Sequence, residues 1–171
     1  MIARPERVEA APYYFSYIDR VPEGSDVIEM LQAQLDEAST LFSQISEEKS
    51  LRRYAPGKWS IRELLSHVSD AERLFAFRAL WFARGFDSTL PSFDQNIAVS
   101  HAHADDVSWA AHVEEFKRVR LSTISLFRNM PADAWLRSGI ASDNHFTVRA
   151  LAFLTAGHFI HHVSLLRERY L

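Results

Sequence analysis

The sequence predicts an all-α protein, a four-helix bundle with a long connection between its second and third helices. Three observations carry this expectation. Only 5 glycines and 6 prolines punctuate the 171 residues. Between them, apolar side chains recur at three- and four-residue spacing, the period of a helix with one buried face. A hydrophobic share of 47% at this length is enough for one sizeable core. Residues 1–171 are therefore read as a single domain, with 1–22 as an N-terminal extension.

The first helix follows Pro22-Glu23-Gly24 and runs to about Ser46, with Ser25 or Asp26 as its N-cap. Its apolar stripe is Val27, Met30, Leu31, Leu35, Ala38, Leu41 and Phe42. The second helix spans 60–84. Ser60 and Glu63 make a capping box, Trp59 and Leu64 hold the positions of a hydrophobic staple, and Gly85 ends it. From Gly85 to Ala104 no period is sustained. So long a connection in a small bundle is expensive to order unless it packs over something, so it is expected to border the site and bring Asp94 or Asn96 to it. Asp105 or Asp106 is expected to cap a third helix to about Met130, where Pro131 stops it, and Trp135 to sit on a short extra turn. Thr147 opens the last helix, whose Leu151, Leu154, Thr155, His158, His162, Leu165 and Leu166 share a broad face. No strand pattern, internal repeat or interdomain linker is visible.

Composition narrows the function classes. Nineteen basic against 22 acidic side chains leave a formal charge of −3 with no Lys/Arg stripe, which argues against nucleic-acid binding. The absence of cysteine excludes disulfides, thiolate ligands, Fe–S clusters and a cysteine nucleophile, so any thiol chemistry needs a borrowed thiol. The opening MIARPERVEAAPYYF lacks the apolar region of a signal peptide, so a cytoplasmic address is the expectation. The longest uncharged apolar stretch, Ala150 to Ile160, is far short of the roughly 20 residues that span a bilayer, and no membrane segment is expected.

Eight histidines are present, and their placement matters more than their number. His158 and His162 stand four apart, about 40° around a helix and roughly 5–6 Å between Cβ atoms, close enough to share one metal ion. His161 points elsewhere. Zincin proteases use the same spacing but need Glu directly after the first histidine, where Phe159 stands here. A mononuclear site normally needs a third protein ligand. His67 is the natural candidate, because Leu64, Ala71, Leu74 and Arg78 at helical neighbour positions turn it toward the bundle interior. Glu63 and Asp70 are candidates to orient its second ring nitrogen, or else plain surface charges. The competing reading makes these histidines hydrogen-bonded core residues. His101, His103, His112 and His145 read as solvated side chains. Arg73, Arg78 and Arg84 either meet an anionic substrate or pair with Glu72 and snorkel, and Phe75, Phe77, Trp81, Phe82 and Phe86 serve the core or a subunit contact. No Gly-rich phosphate loop or nucleophile elbow occurs.

The lead-in Arg53 to Ser60, His67 with Asp70-Ala-Glu-Arg73, and the late Gly157 to His162 together resemble the DinB-like superfamily of damage-inducible, metal-binding four-helix proteins. The resemblance runs from about Leu31 to Leu171, and the closing Leu-Arg-Glu-Arg-Tyr-Leu is similar to the end of one subgroup. It implies up-up-down-down connectivity, a homodimer, and one divalent ion, zinc or nickel, on the residues matching His67, His158 and His162. It also implies a small-molecule substrate and a low-molecular-weight thiol such as bacillithiol or mycothiol. The function expected first is a metal-dependent enzyme, a thiol S-transferase with a metal-activated thiolate; Asp94, Asn96 and Arg78 are its pocket candidates. The alternatives are a hydrolase using metal-activated water and a non-enzymatic, stress-related structural dimer.

Overall fold

The computed structural model describes residues 2–171. Six helices follow one another among them: α1 (Pro12–Ile18), α2 (Val27–Phe42), α3 (Ile61–Ala83), α4 (Gln95–Ala102), α5 (Trp109–Arg128) and α6 (Val148–Arg169). The four long ones form the bundle. α3 packs against α5 and α6, and α2 packs against the same two, so the consecutive helices α2 and α3 occupy opposite corners. α1 lies across α6.

Helix starts follow the sequence signals. Asp26 accepts from the Ile28 and Glu29 amides, Ser60 and Glu63 form the capping box, and Thr147 accepts from Ala150 N. α2 stops at Phe42, short of Ser46. Its last turns are rich in hydroxyls that bond back to the chain, Ser39 to Leu35 O, Thr40 to Asp36 O and Ser43 to Thr40 O, and such bonds compete with continued helix. α5 is capped by Ser108, and neither Asp105 nor Asp106 takes that role. The Asp105 carboxylate is engaged elsewhere, accepting from Ser60 Oγ at 2.5 Å and Arg53 Nη2 at 2.6 Å. Trp135 does sit on a short 3-10 turn, Ala132–Leu136.

Three elements depart from expectation. Within the expected 1–22 extension, the described residues 2–22 are woven into the bundle, since α1 and the turn after it bury Phe15, Ile18 and Val21 in the main core. Buried Glu9 accepts from Thr147 Oγ1 and pairs with Arg149 at the start of α6. The connection after Gly85 contains α4, capped by Asp94. A two-stranded hairpin joins β1 (Ser138–Ala141) to β2 (Asn144–Thr147), with Ser142 and Asp143 at φ +50° and +59° in the turn. Bridges tie the hairpin to the N-terminus (Ala10 to Phe146) and to the connection (Leu90 to Ala141). Gly139 lets it lie on α3, because a Cβ there would meet the Phe82 ring at 2.1 Å.

The core divides into two apolar halves. One holds Leu31, Phe75, Phe82, Phe127 and Leu151, the other Leu35, Leu65, Phe116, Phe159 and Leu166. Between them runs a layer of buried polar side chains. Arg120 of α5 is 0% exposed and chelates Glu72 of α3, 2% exposed, through Nε and Nη2 at 2.8 Å each. Its Nη1 donates to Leu31 O and, at 2.8 Å, to Gln34 Oε1 of α2, while Gln34 Nε2 donates to Ala156 O of α6 at 2.9 Å. All four long helices meet on one guanidinium. Truncation of one partner leaves a buried charge unpaired, so Glu72→Ala should lower unfolding free energy by about 3–5 kcal/mol. Denaturant unfolding measures this, and adding Arg120→Met to Glu72→Met should give a protein more stable than Glu72→Ala.

Candidate metal centre

His67 on α3 and His158 and His162 on α6 meet at the edge of this polar layer. His158 Nε2 lies 3.2 Å from His67 Nε2 and 3.1 Å from His162 Nε2, and all three ligand atoms fall within 4.8 Å of one another. Each ring is buried. The helix turns about 100° per residue, so His161 leaves the group and packs edge-on against Tyr17, with ring centroids 5.3 Å apart.

Burial holds all three rings in the neutral form. It lowers the His67 pKa to about 4, with the charge on His161 adding to the effect, and it puts His158 and His162 well below the usual histidine range. A neutral ring nitrogen either donates one proton or accepts one, so His158 Nε2 cannot satisfy both neighbours. Three converging lone pairs suit a cation better. With Zn–N bonds of 2.0–2.1 Å, tetrahedral geometry puts nitrogens about 3.3 Å apart, close to the two separations found here. An all-imidazole donor set fits a divalent first-row transition-metal ion.

Aromatic rings wall the site. Trp59 leans on His67 with centroids 4.9 Å apart, while Tyr17 and Phe75 lie 5.4 and 5.7 Å from His158. Trp59 thus serves the histidine, besides flanking the capping box. A cleft of about 220 Å³ opens from His67 and His158 toward Arg78, lined by tyrosines of α1, by Phe93 and Gln95 of the connection and by Ser142 of the hairpin turn. Gly157 makes the α1 wall possible, since a Cβ there would fall 2.1 Å from the Tyr17 carbonyl oxygen.

Several expected residues act elsewhere. Glu63 accepts from Ser60 N and pairs with Arg53, with no bond to His67. Asp70 faces Arg73 at 3.5 Å and likewise leaves His67 alone. Asp94 spends its carboxylate on the Asn96 and Ile97 amides, and Asn96 is exposed; their neighbours Phe93 and Gln95 are the ones that reach the cleft. Arg78 does line it. Glu72, expected beside Arg73, Arg78 or Arg84, belongs to Arg120. His112 is buried and bonds to Ala104 O at 2.8 Å, pinning the connection to α5, while His101, His103 and His145 are exposed. Tyr13, Tyr14, Tyr17, Gln95 and Ser142 were not expected at the site. A Pro-led aromatic run at 13, 14 and 17, with Gly157 beside His158, was the available signal for α1.

A helical bundle holding a buried three-histidine cleft is the class these features define. The sequence profile of the DinB superfamily matches residues 30–166, and the chain belongs to that superfamily. In fold it is similar to YfiT from Bacillus subtilis, described as a probable metal-dependent hydrolase with an unusual four-helix bundle topology; the TM-score is 0.70 at 14% identity, over 96% of this chain and 89% of YfiT. It is also similar to a mycothiol-dependent maleylpyruvate isomerase, with TM-score 0.68 at 14% identity over 81% of this chain. There the match spans only 59% of the isomerase. A search of curated proteins finds no match. No helix among the described residues is long and apolar enough to cross a membrane.

The depressed histidines make stability depend on pH. Between the ordinary histidine value near 6.5 and about 4, the unfolded chain binds a proton at position 67 that the folded protein refuses. The metal-free protein should keep this stability above pH 6.5 and lose it as pH falls toward 4, by on the order of 3 kcal/mol for His67 alone. Urea unfolding at pH 7 and pH 4 should show the loss, and His67→Gln should diminish it.

Proposed function

We propose that His67, His158 and His162 hold one divalent ion, zinc or nickel, and that the protein is a metal-dependent enzyme acting on a small molecule. The convergence of three buried Nε2 atoms within 4.8 Å at the end of an open cleft carries this reading. When bound, the ion would supply a Lewis acid that lowers the pKa of an incoming thiol. Within the class, we favour S-transfer from a low-molecular-weight thiol to an electrophile.

The residues around the cleft support that preference. No carboxylate among the described residues lines it, so an attacking water would find no proton acceptor of the usual kind, whereas a thiol can ionise before it reacts. Tyr17 is no substitute base. Burial, then its contact with the Tyr13 hydroxyl at 3.3 Å, raises its pKa far above neutrality, which makes it a hydrogen-bond donor to a leaving group or carbonyl. Trp59, Phe75 and the Tyr17 ring give the histidines an aromatic wall, and the absence of cysteine leaves the thiol to arrive as cosubstrate. Hydrolysis is the second reading, favoured by a fold shared with YfiT along nearly the whole of both chains.

Untagged protein should carry about one equivalent of metal per chain by elemental analysis. His67→Ala, His158→Ala and His162→Ala should each retain at most about a tenth of it while folded by circular dichroism, and His161→Ala should keep it. Folded His162→Ala that stays loaded would sink the ligand set. The loaded protein should then accelerate attack of a small thiol on 1-chloro-2,4-dinitrobenzene. Thiol-independent cleavage of p-nitrophenyl acetate with no thiol transfer would favour the hydrolase, and a stable metal-free protein would return the structural dimer.

A further inference from the structure

We propose that Arg78 is a carboxylate-recognition residue, placed at the far end of the cleft to hold the acid group of an elongated organic ligand whose reacting end lies at the three histidines. The assignment rests on reading this cleft as the substrate site, and it does not require the metal.

Three arginines are buried, and they differ in one respect. Arg120 has Glu72 and Arg62 has Glu47, but Arg78, 2% exposed, has no carboxylate within ion-pair distance among the described residues. Its Nη2 donates to Pro91 O at 3.1 Å and Ser142 Oγ at 2.8 Å, and its buried Nε has no hydrogen-bond partner among the described residues. Carbonyl and hydroxyl dipoles orient the guanidinium without neutralising it. An unpaired buried charge is among the more costly things a fold can contain, and binding sites are where such groups persist. Burial also disfavours the charged form of this arginine, with the nearby Tyr14 only partly countering it.

Position gives the ligand its shape. Arg78 stands eleven residues after His67 on α3, about three turns on and about 20° around, so both belong to the cleft face. Their Cα atoms are about 16 Å apart along the axis, and the arginine side chain leans back toward the helix N-terminus. An acid group at one end and a reacting atom several bonds away would reach both. In the metal-free protein Arg78 is the one side chain charged at neutral pH among the described residues lining the cleft, and the histidines are neutral, so a planar monoanion balances it. A phosphate dianion would leave one charge in excess.

The test uses full-length, metal-free, 15N-labelled protein, so failure of the metal reading leaves it intact. The Arg78 Nε–H cross-peak, identified by its absence in Arg78→Met, is followed while 3-phenylpropionate, 3-phenylpropanamide or phenyl phosphate is added. The carboxylate should shift the peak saturably and bind at least about tenfold more tightly than the neutral amide. Arg78→Met should lose the carboxylate preference while melting no lower than the parent, since the guanidinium has no carboxylate to strand. Equal affinity for acid and amide, tighter binding of phenyl phosphate, no saturable shift, or a folded Arg78→Met that still prefers the acid would overturn the proposal. If Arg78→Met does not fold, the acid-to-amide contrast in the parent protein decides, and Arg78→Lys, which keeps the charge and loses the planar fork, should bind the acid more weakly.

Discussion

The Arg120 guanidinium organises the bundle. It packs against the stacked Phe116 and Phe159 rings, 5.2 and 4.9 Å from their centroids, fully buried from solvent. Each of its contacts is therefore a constraint on helix position: Glu72 sets α3, Gln34 and Leu31 O set α2, and Gln34 passes the register on to α6 through Ala156 O. A slide of one helix by a turn would leave a buried donor or acceptor empty, a penalty that apolar packing alone does not impose. Ala156 is two residues from His158. The same contacts that align the scaffold thus fix the height at which the α6 histidines face His67.

The cleft depends on segments far from those helices. α1 can approach α6 only because Gly157 presents no side chain, and that approach brings Tyr17 against both His158 and His161. At the opposite end, the hairpin turn and the connection converge on Arg78 through Ser142 and Pro91. Arg149 bonded to Glu9, and the bridge from Ala10 to Phe146, tie these two covers to each other. The segment through α1 therefore completes the site, with its Pro-led aromatic run as the one mark that distinguishes it from a tail.

How much of this was legible follows from what each signal needs. Ser60 with Glu63, Asp26 and Thr147 announce helix starts because capping is local chemistry. His158 and His162 can be paired from spacing alone, and His67 can be turned inward by its apolar neighbours. The hairpin could not be read, because four-residue strands are too short to show a period and its turn uses Ser142 and Asp143 in place of an Asn-Gly or Asp-Gly pair. Glu72 and Arg120 are 48 residues apart and look like surface charges until α3 and α5 are side by side. His112 shares that difficulty, since its partner is the Ala104 carbonyl. Asp94 illustrates competing uses of one carboxylate: a helix cap, which it is here, and a cleft ligand look identical in sequence.

Phase explains how a single helix serves scaffold and site together. Around α3, Ala71, Leu74 and Arg78 lie within about 40° of His67, and these four residues line the cleft. Glu72 is about 140° away from His67 and Leu65 about 160°, so they face the bundle interior, where Arg120 and the apolar core receive them. Arg73, Phe77 and Leu80 take the remaining side and are exposed or nearly so. Asp70 falls at the border between cleft and solvent, which is why its carboxylate turns outward to Arg73. The two arginines of the polar system then divide by phase and helix: Arg120 points inward to a carboxylate the fold supplies, while Arg78 points to a cleft where the fold supplies none. A charge left unanswered on the face that also carries His67 is what separates a site from a scaffold in this bundle.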